Sequence, residues 1–251
     1  TIRCYTIFDD VYGGSNKADI VGNVTLNVEG GSITNLFGGS KGTAETAANI
    51  SGNVTLNIYG GTIGNAFGGC NVNGQIGGQI VVNVINNSSC GFSINNVYGG
   101  GQDAAYGTSE SNRGNYPQVN IMHTGSARVN NNVFGGGLGA TAQVYGNPQV
   151  TVGYTGTITV GTTDVTTSPT VTIGENVFGG GSAAQVNGDT KTTVKGSSVV
   201  GKNVFGGGNE AAVDGDTDVR LLDKVRVYGN VYGGGNQGEV TGDTKVIVNG
   251  N

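Results

Sequence analysis

Asn203-Val204-Phe205-Gly206-Gly207-Gly208-Asn209-Glu210-Ala211-Ala212-Val213-Asp214-Gly215-Asp216-Thr217-Asp218-Val219-Arg220-Leu221-Leu222 begins again, 27 residues on, as Asn230-Val231-Tyr232-Gly233-Gly234-Gly235. It contains an aromatic residue before a glycine run, a Gly-Asp-Thr step and an alternating segment. Outward from it, the block of Asn or Asp, an apolar residue, an aromatic and then Gly-Gly occurs eight times. Its aromatics are Tyr12, Phe37, Phe67, Tyr98, Phe134, Phe178, Phe205 and Tyr232. A unit of 25 to 44 residues with no helical stretch is too small to bury its own core and must stack on its neighbours.

The segment after each polar step alternates with period two. Val24, Leu26 and Val28 share one face and Asn23, Thr25 and Asn27 the other, and Val54, Leu56 and Ile58 repeat the pattern. Period two means strand. About three short strands per unit, separated by Gly-rich corners, close into a coil that pairs in parallel with the next. The sequence therefore predicts an all-β, single-stranded parallel β-helix of about eight coils, one continuous domain over residues 1–251. Such a rod is roughly 35–40 Å long at the strand spacing, and right-handed by the rule for parallel crossovers.

Two ladders are expected along it. The corner aromatics should stack ring on ring. The residue two before each aromatic is Asp10, then Asn35, Asn65, Asn96, Asn132, Asn176, Asn203 and Asn230. Stacked amides donate and accept along the axis and fix the register of the coils. Lys191, Asp218 and Lys245 recur at one outward position, so opposite charges should lie above one another. Glycine at the corners is expected to supply positive φ and to let adjacent coils turn at the same height without Cβ clashes.

Asp189, Asp216 and Asp243 recur after a glycine and would stack like charges at one corner. A Ca2+ ion is one way to relieve that repulsion; solvent and local backbone N–H groups are the other. No other cofactor is indicated.

Two units are long. The first excess, Gln102 to Gln118, carries Tyr106, Arg113 and Tyr116; the second follows Val150-Thr151-Val152, carries Tyr154 and suggests a hairpin turn at Gly161 to Asp164. Loops on a repeat scaffold commonly carry recognition, so these four residues are the binding candidates, with exposed Tyr and Arg suited to sugar rings or a protein partner. Tolerated surface insertion is the alternative.

No catalytic constellation assembles. Asp214, Asp216, Asp218 and Asp223 could serve paired-carboxylate chemistry only if they converge with Arg220 or Lys224, and alternation sends neighbours to opposite faces. His123, the sole histidine, falls at a strand end, and the glycine runs lack the Gly-Lys-Ser/Thr of a phosphate loop. A net charge of −5 argues against nucleic acid, and no apolar run reaches membrane-spanning length. Cys4, Cys70 and Cys90 lack zinc spacing; one disulfide and one odd thiol are expected, with Cys70–Cys90 the pairing considered.

The repeated Asn-Val-Phe/Tyr-Gly-Gly-Gly block with its Gly-Asp-Thr and alternating strand, clearest from Asn176 to Asn251, resembles the Gly-rich repeat regions of large bacterial cell-surface, adhesin-like proteins. The resemblance extends over nearly the whole chain and implies an extracellular or cell-surface stalk or adhesive module. The long units and Cys70, where other units have Ser or Gly, depart from the pattern. The chain opens on Thr1 and stops in mid-repeat without a cap, so continuation of the same chain, or end-to-end self-association into a filament, is expected. The expected function is a non-catalytic structural or adhesive rod, with a host or matrix glycan as a candidate partner. The alternative is a carbohydrate-binding or carbohydrate-active β-helix of the polysaccharide lyase or hydrolase kind.

Overall fold

The computed structural model describes residues 4–124, 127–153, 157–160, 163–166 and 171–250, the hairpin segments 157–160 and 163–166 by backbone alone. The described chain is a parallel β-solenoid with no helix.

One eight-stranded sheet is built from Val24–Val28, Val54–Ile58, Ile80–Val84, Gln118–Ile121, Gln149–Val152, Thr190–Val194, Thr217–Leu222 and Thr244–Asn249. A second contains Ile7–Tyr12, Ser32–Phe37, Gly61–Phe67, Phe92–Tyr98 and the short strands Val133–Phe134, Val177–Phe178, Val204–Phe205 and Val231–Tyr232. Thr172–Ile173, Val199–Val200 and Arg226–Val227 form a three-stranded companion. A third face is a column of single parallel bridges that joins Tyr106, Val144, Val186, Val213 and Val240, with Ile20, Ile50 and Ile76 linked in the same way nearer the N-terminus. Eight strands per sheet enclose about seven turns, one fewer than the eight coils expected from the count of aromatics.

Alternation decides what each strand buries. In Val54–Ile58, Val54, Leu56 and Ile58 are buried, and they stack in register on Val24, Leu26 and Val28. The interior is a continuous column of Val, Ile and Leu. β-Branched side chains suit a pleated surface that is packed on the same residue type above and below.

The eight aromatics form a separate stack outside that column. Successive ring centroids lie 4.8–4.9 Å apart with interplanar angles of 1–11°. None of the glycines that follow the aromatics has positive φ, contrary to expectation; inside the stack they are required by proximity instead, while Gly234 in the last coil has open space. A Cβ on Gly99 would lie 2.2 Å from the carbonyl oxygen of Gly135.

The disulfide joins Cys4 to Cys90, with Cα atoms 5.1 Å apart, and Cys70 is a buried free thiol. This corrects the Cys70–Cys90 pairing. The segment before Phe92 climbs back over two corners, where Ser88 donates through Oγ to the Glu29 carbonyl and Gly61 N–H donates to the Gly91 carbonyl. That path carries Cys90 over Gly30, beside Cys4. Cys70 points into the stack, its Sγ accepting the Ser40 N–H at 3.4 Å, and burial pushes its thiol up to about 11 against the opposing effect of that bond. In the second long unit, Thr157–Val160 pairs antiparallel with Thr163–Thr166, and Val160 faces Thr163.

Candidate functional site

The expected amide ladder has a direction. Asn35 Nδ2 donates to Asp10 Oδ1, Asn65 to Asn35 and Asn96 to Asn65, each at 3.0 Å. An aspartate fits the first position because it only has to accept. From Asn132 onward the residue precedes its strand, and its backbone joins in: Asn132 N–H donates to Asn96 Oδ1, and Asn176 and Asn203 donate both backbone and side-chain N–H to the amide before them. Asn230 N–H donates to Asn203 Oδ1 at 2.8 Å.

A second amide ladder was missed by sequence reasoning. Asn57 donates to Asn27, Asn83 to Asn57 and Asn120 to Asn83, at 2.9–3.0 Å, and the last three are buried. The signal was there in Val-Thr-Leu-Asn and its relatives, but period two assigned these residues to the outward face of the strand.

The three candidate metal aspartates belong to a third ladder. Asn53 N–H donates to Asn23 Oδ1 and Gln79 N–H to Asn53 Oδ1; further along, Asp189 N–H donates to Asn147 Oδ1, Asp216 N–H to Asp189 Oδ1 and Asp243 N–H to Asp216 Oδ1. The Asp189 and Asp216 carboxylates therefore each use one oxygen as an asparagine would, and Asp243 joins the ladder through its backbone N–H. Among the described residues no group of three or more His, Cys, Asp or Glu is placed to hold a metal ion.

The loop candidates require correction. Tyr106 is only 2% exposed; it occupies the bridge column, and its hydroxyl donates to the Gly78 carbonyl at 2.8 Å. Burial pushes its phenol up to about 12, with Arg113 acting in the opposite sense. The Arg113 guanidinium lies 5.6 Å from the Tyr106 ring centroid and donates to the Gly77 carbonyl. Tyr116 packs, half-buried, against the core. These residues hold the loop down, and none is a free binding platform. Tyr154 lies outside the described residues.

The loop instead shows Ser109, Glu110, Ser111 and Asn112 to solvent. They wall a depression of about 460 Å³ with Tyr145, Asn147, Asn187, Gly188 and Asp214. A second depression of about 290 Å³ meets the first at Asn147 and is lined by Asn115, Gln149, Asp189, Thr190, Lys191, Asp216 and Asp218. Between the columns Tyr145, Asn187, Asp214 and Asn147, Asp189, Asp216 runs a line of glycines, Gly146, Gly188 and Gly215. Glycine is required at 188, since a Cβ would lie 2.5 Å from both Asn147 Oδ1 and the Gly146 carbonyl. The first depression is a trough whose floor at Gly188 is backbone between polar walls; Gly146 is buried under Arg113 and Tyr116 of the loop, and the second depression lies on the far side of the Asn147, Asp189, Asp216 column.

Of the four acids, Asp216 and Asp218 line the second depression together with Asp189 and Lys191, and Asp214 lines the first. Asp218 lies in register between Lys191 and Lys245 and is held by Arg220, whose Nε donates to both carboxylate oxygens at 3.0 and 2.9 Å. That hydrogen-bonded pair lowers the Asp218 pKa. Asp214 lies across the trough and accepts from Thr241 Oγ1, while Asp223 lies past the end of the strand, where φ is positive and its Oδ2 accepts the Gly196 N–H. Compared with known proteins, the chain matches no family model, no curated protein and no solved structure.

Proposed function

We propose that this chain is a rigid, non-catalytic rod module, structural or adhesive in role, of a cell-surface or extracellular protein. The supporting observation is the unbroken stack of eight rings from Tyr12 to Tyr232 at 4.8–4.9 Å. Each coil is bound to the next by parallel strands, rings and amides, so bending the rod means breaking several ladders together. The Cys4–Cys90 disulfide suits an oxidising compartment.

Electron microscopy of the protein at near-neutral pH, with and without EDTA, tests this reading. Straight rods or filaments of uniform width, unchanged by EDTA, are expected. Flexible or irregular particles would overturn it, and rods lost on chelation would assign Ca2+ to the aspartate ladder.

A further inference from the structure

The trough beside Asn147 has three properties that together specify a ligand. At Gly188 its floor is backbone, because that residue carries no side chain and could not carry one. Its walls repeat along the rod axis, one polar group per coil, at the spacing of the ring stack, 4.8 Å between Phe134 and Phe178 and between Phe178 and Phe205. Those groups also keep bonding capacity free: Asp189 and Asp216 each use only Oδ1 on the backbone of the following coil, and both side chains are exposed.

A narrow channel with a flat floor and regularly spaced acceptors and amides favours an extended polymer over a compact molecule. Carboxylates and amides are both good partners for hydroxyl groups, since each accepts from O–H and the amide also donates to it. The ring of Tyr145 lines the larger depression and supplies one apolar face. No pocket for an apolar side chain interrupts the walls, which argues against an extended peptide. The excess of carboxylates repels an anionic polymer.

We propose that the trough binds an uncharged, hydroxyl-rich glycan strand lying along the rod axis, its end walled by the Ser109–Asn112 segment. Asn147, Asn187 and Asp216 hold its hydroxyls, Tyr145 meets a sugar face, and the carboxylates select against uronate chains. The proposal adds a ligand to the rod reading; it rests on the trough alone, so microscopy of the rod and binding to the trough fail independently.

The test is calorimetric titration of the full chain with cellohexaose, xylohexaose and mannohexaose as neutral probes, hexagalacturonate as the anionic probe and a lysine-rich peptide as the rival. Binding of at least one neutral hexaose is expected, with perturbation of the Asn147 and Asn187 side-chain amides in NMR spectra and weaker or no binding of hexagalacturonate. The Tyr145→Ala/Asn187→Ala double variant is expected to bind about tenfold more weakly or worse. Asp216→Asn keeps the backbone acceptor, as Asn53 does for Gln79, and reads the carboxylate alone: it should weaken the neutral probe and relieve exclusion of the anionic one. Unchanged unfolding temperatures show that the variants are folded. Failure of all three neutral hexaoses, equal binding of hexagalacturonate, preference for the peptide, or unaltered affinity in a folded double variant would each overturn the proposal.

Discussion

The rings of Phe178 and Phe205 lie 4.8 Å apart at an interplanar angle of 3°, buried in a column of their own beside the aliphatic core. Each ring is gripped on two faces by its neighbours, so its removal leaves a gap in the column. Phe178→Ala is therefore expected to cost about 3–5 kcal/mol in denaturant unfolding. Phe178→Tyr should cost much less, because the column already carries a tyrosine at Tyr98.

Asn83 donates to Asn57 at 2.9 Å and accepts from Asn120 at 3.0 Å, all three being buried. Asn83→Ala leaves an acceptor and a donor unpaired, a loss of about 1–3 kcal/mol on the scale for buried polar groups. Asn83→Asp should be worse at neutral pH, since it sets a carboxylate against Asn57 Oδ1 where a donor is needed. Chemical denaturation of the two variants orders these effects.

The Cys4–Cys90 link closes a loop with a sequence separation of 86 residues. Cys90→Ser is expected to lower stability by about 4 kcal/mol through the entropy of the unfolded chain. Hydrogen exchange should quicken first in Ile7–Tyr12, the edge strand that follows Cys4.

Cys70 ionises at about 11 in the fold against an ordinary value of 9.0, and Tyr98 and Tyr106 at about 12 against 10.0, burial being the main cause in each. Folded pKa values above the unfolded ones mean that stability is full below pH 9 and declines as the unfolded state sheds protons that the folded state keeps. A two-unit gap corresponds to on the order of 2 kcal/mol for Cys70. Unfolding measured from pH 8 to 11 should show this decline, and Cys70→Ala should remove the part of it that begins near pH 9.

Asp218 behaves in the opposite sense, its pKa depressed by Arg220. Its contribution is present at neutral pH and lost as pH falls through the folded value. Arg220→Gln should flatten that acid limb, read as a smaller difference in unfolding temperature between neutral and acidic buffer.

Much of the architecture is legible in the sequence for a local reason. Val54, Leu56 and Ile58 have to share a face in any strand, and Phe205 and Tyr232, 27 residues apart, meet because every coil of that length returns to the same place. The amide column from Asn35 to Asn230 is read in the same way. The Asn27 to Asn120 ladder escaped because strand parity tells outward from inward but not exposed from covered.

The recurring aromatic, amide and alternating positions specify the coil and its two expected ladders, and the opposite charges at Lys191, Asp218 and Lys245 follow from the 27-residue period of the last units. Tertiary structure alone sets Cys90 beside Cys4, Tyr106 in the interior and the aspartates on backbone N–H groups. It also opens a glycine-floored trough beside Asn147. Those features arise where an irregular segment crosses coils remote in sequence, and the contacts made there depend on the path of the segment in space, which no repeat spacing encodes.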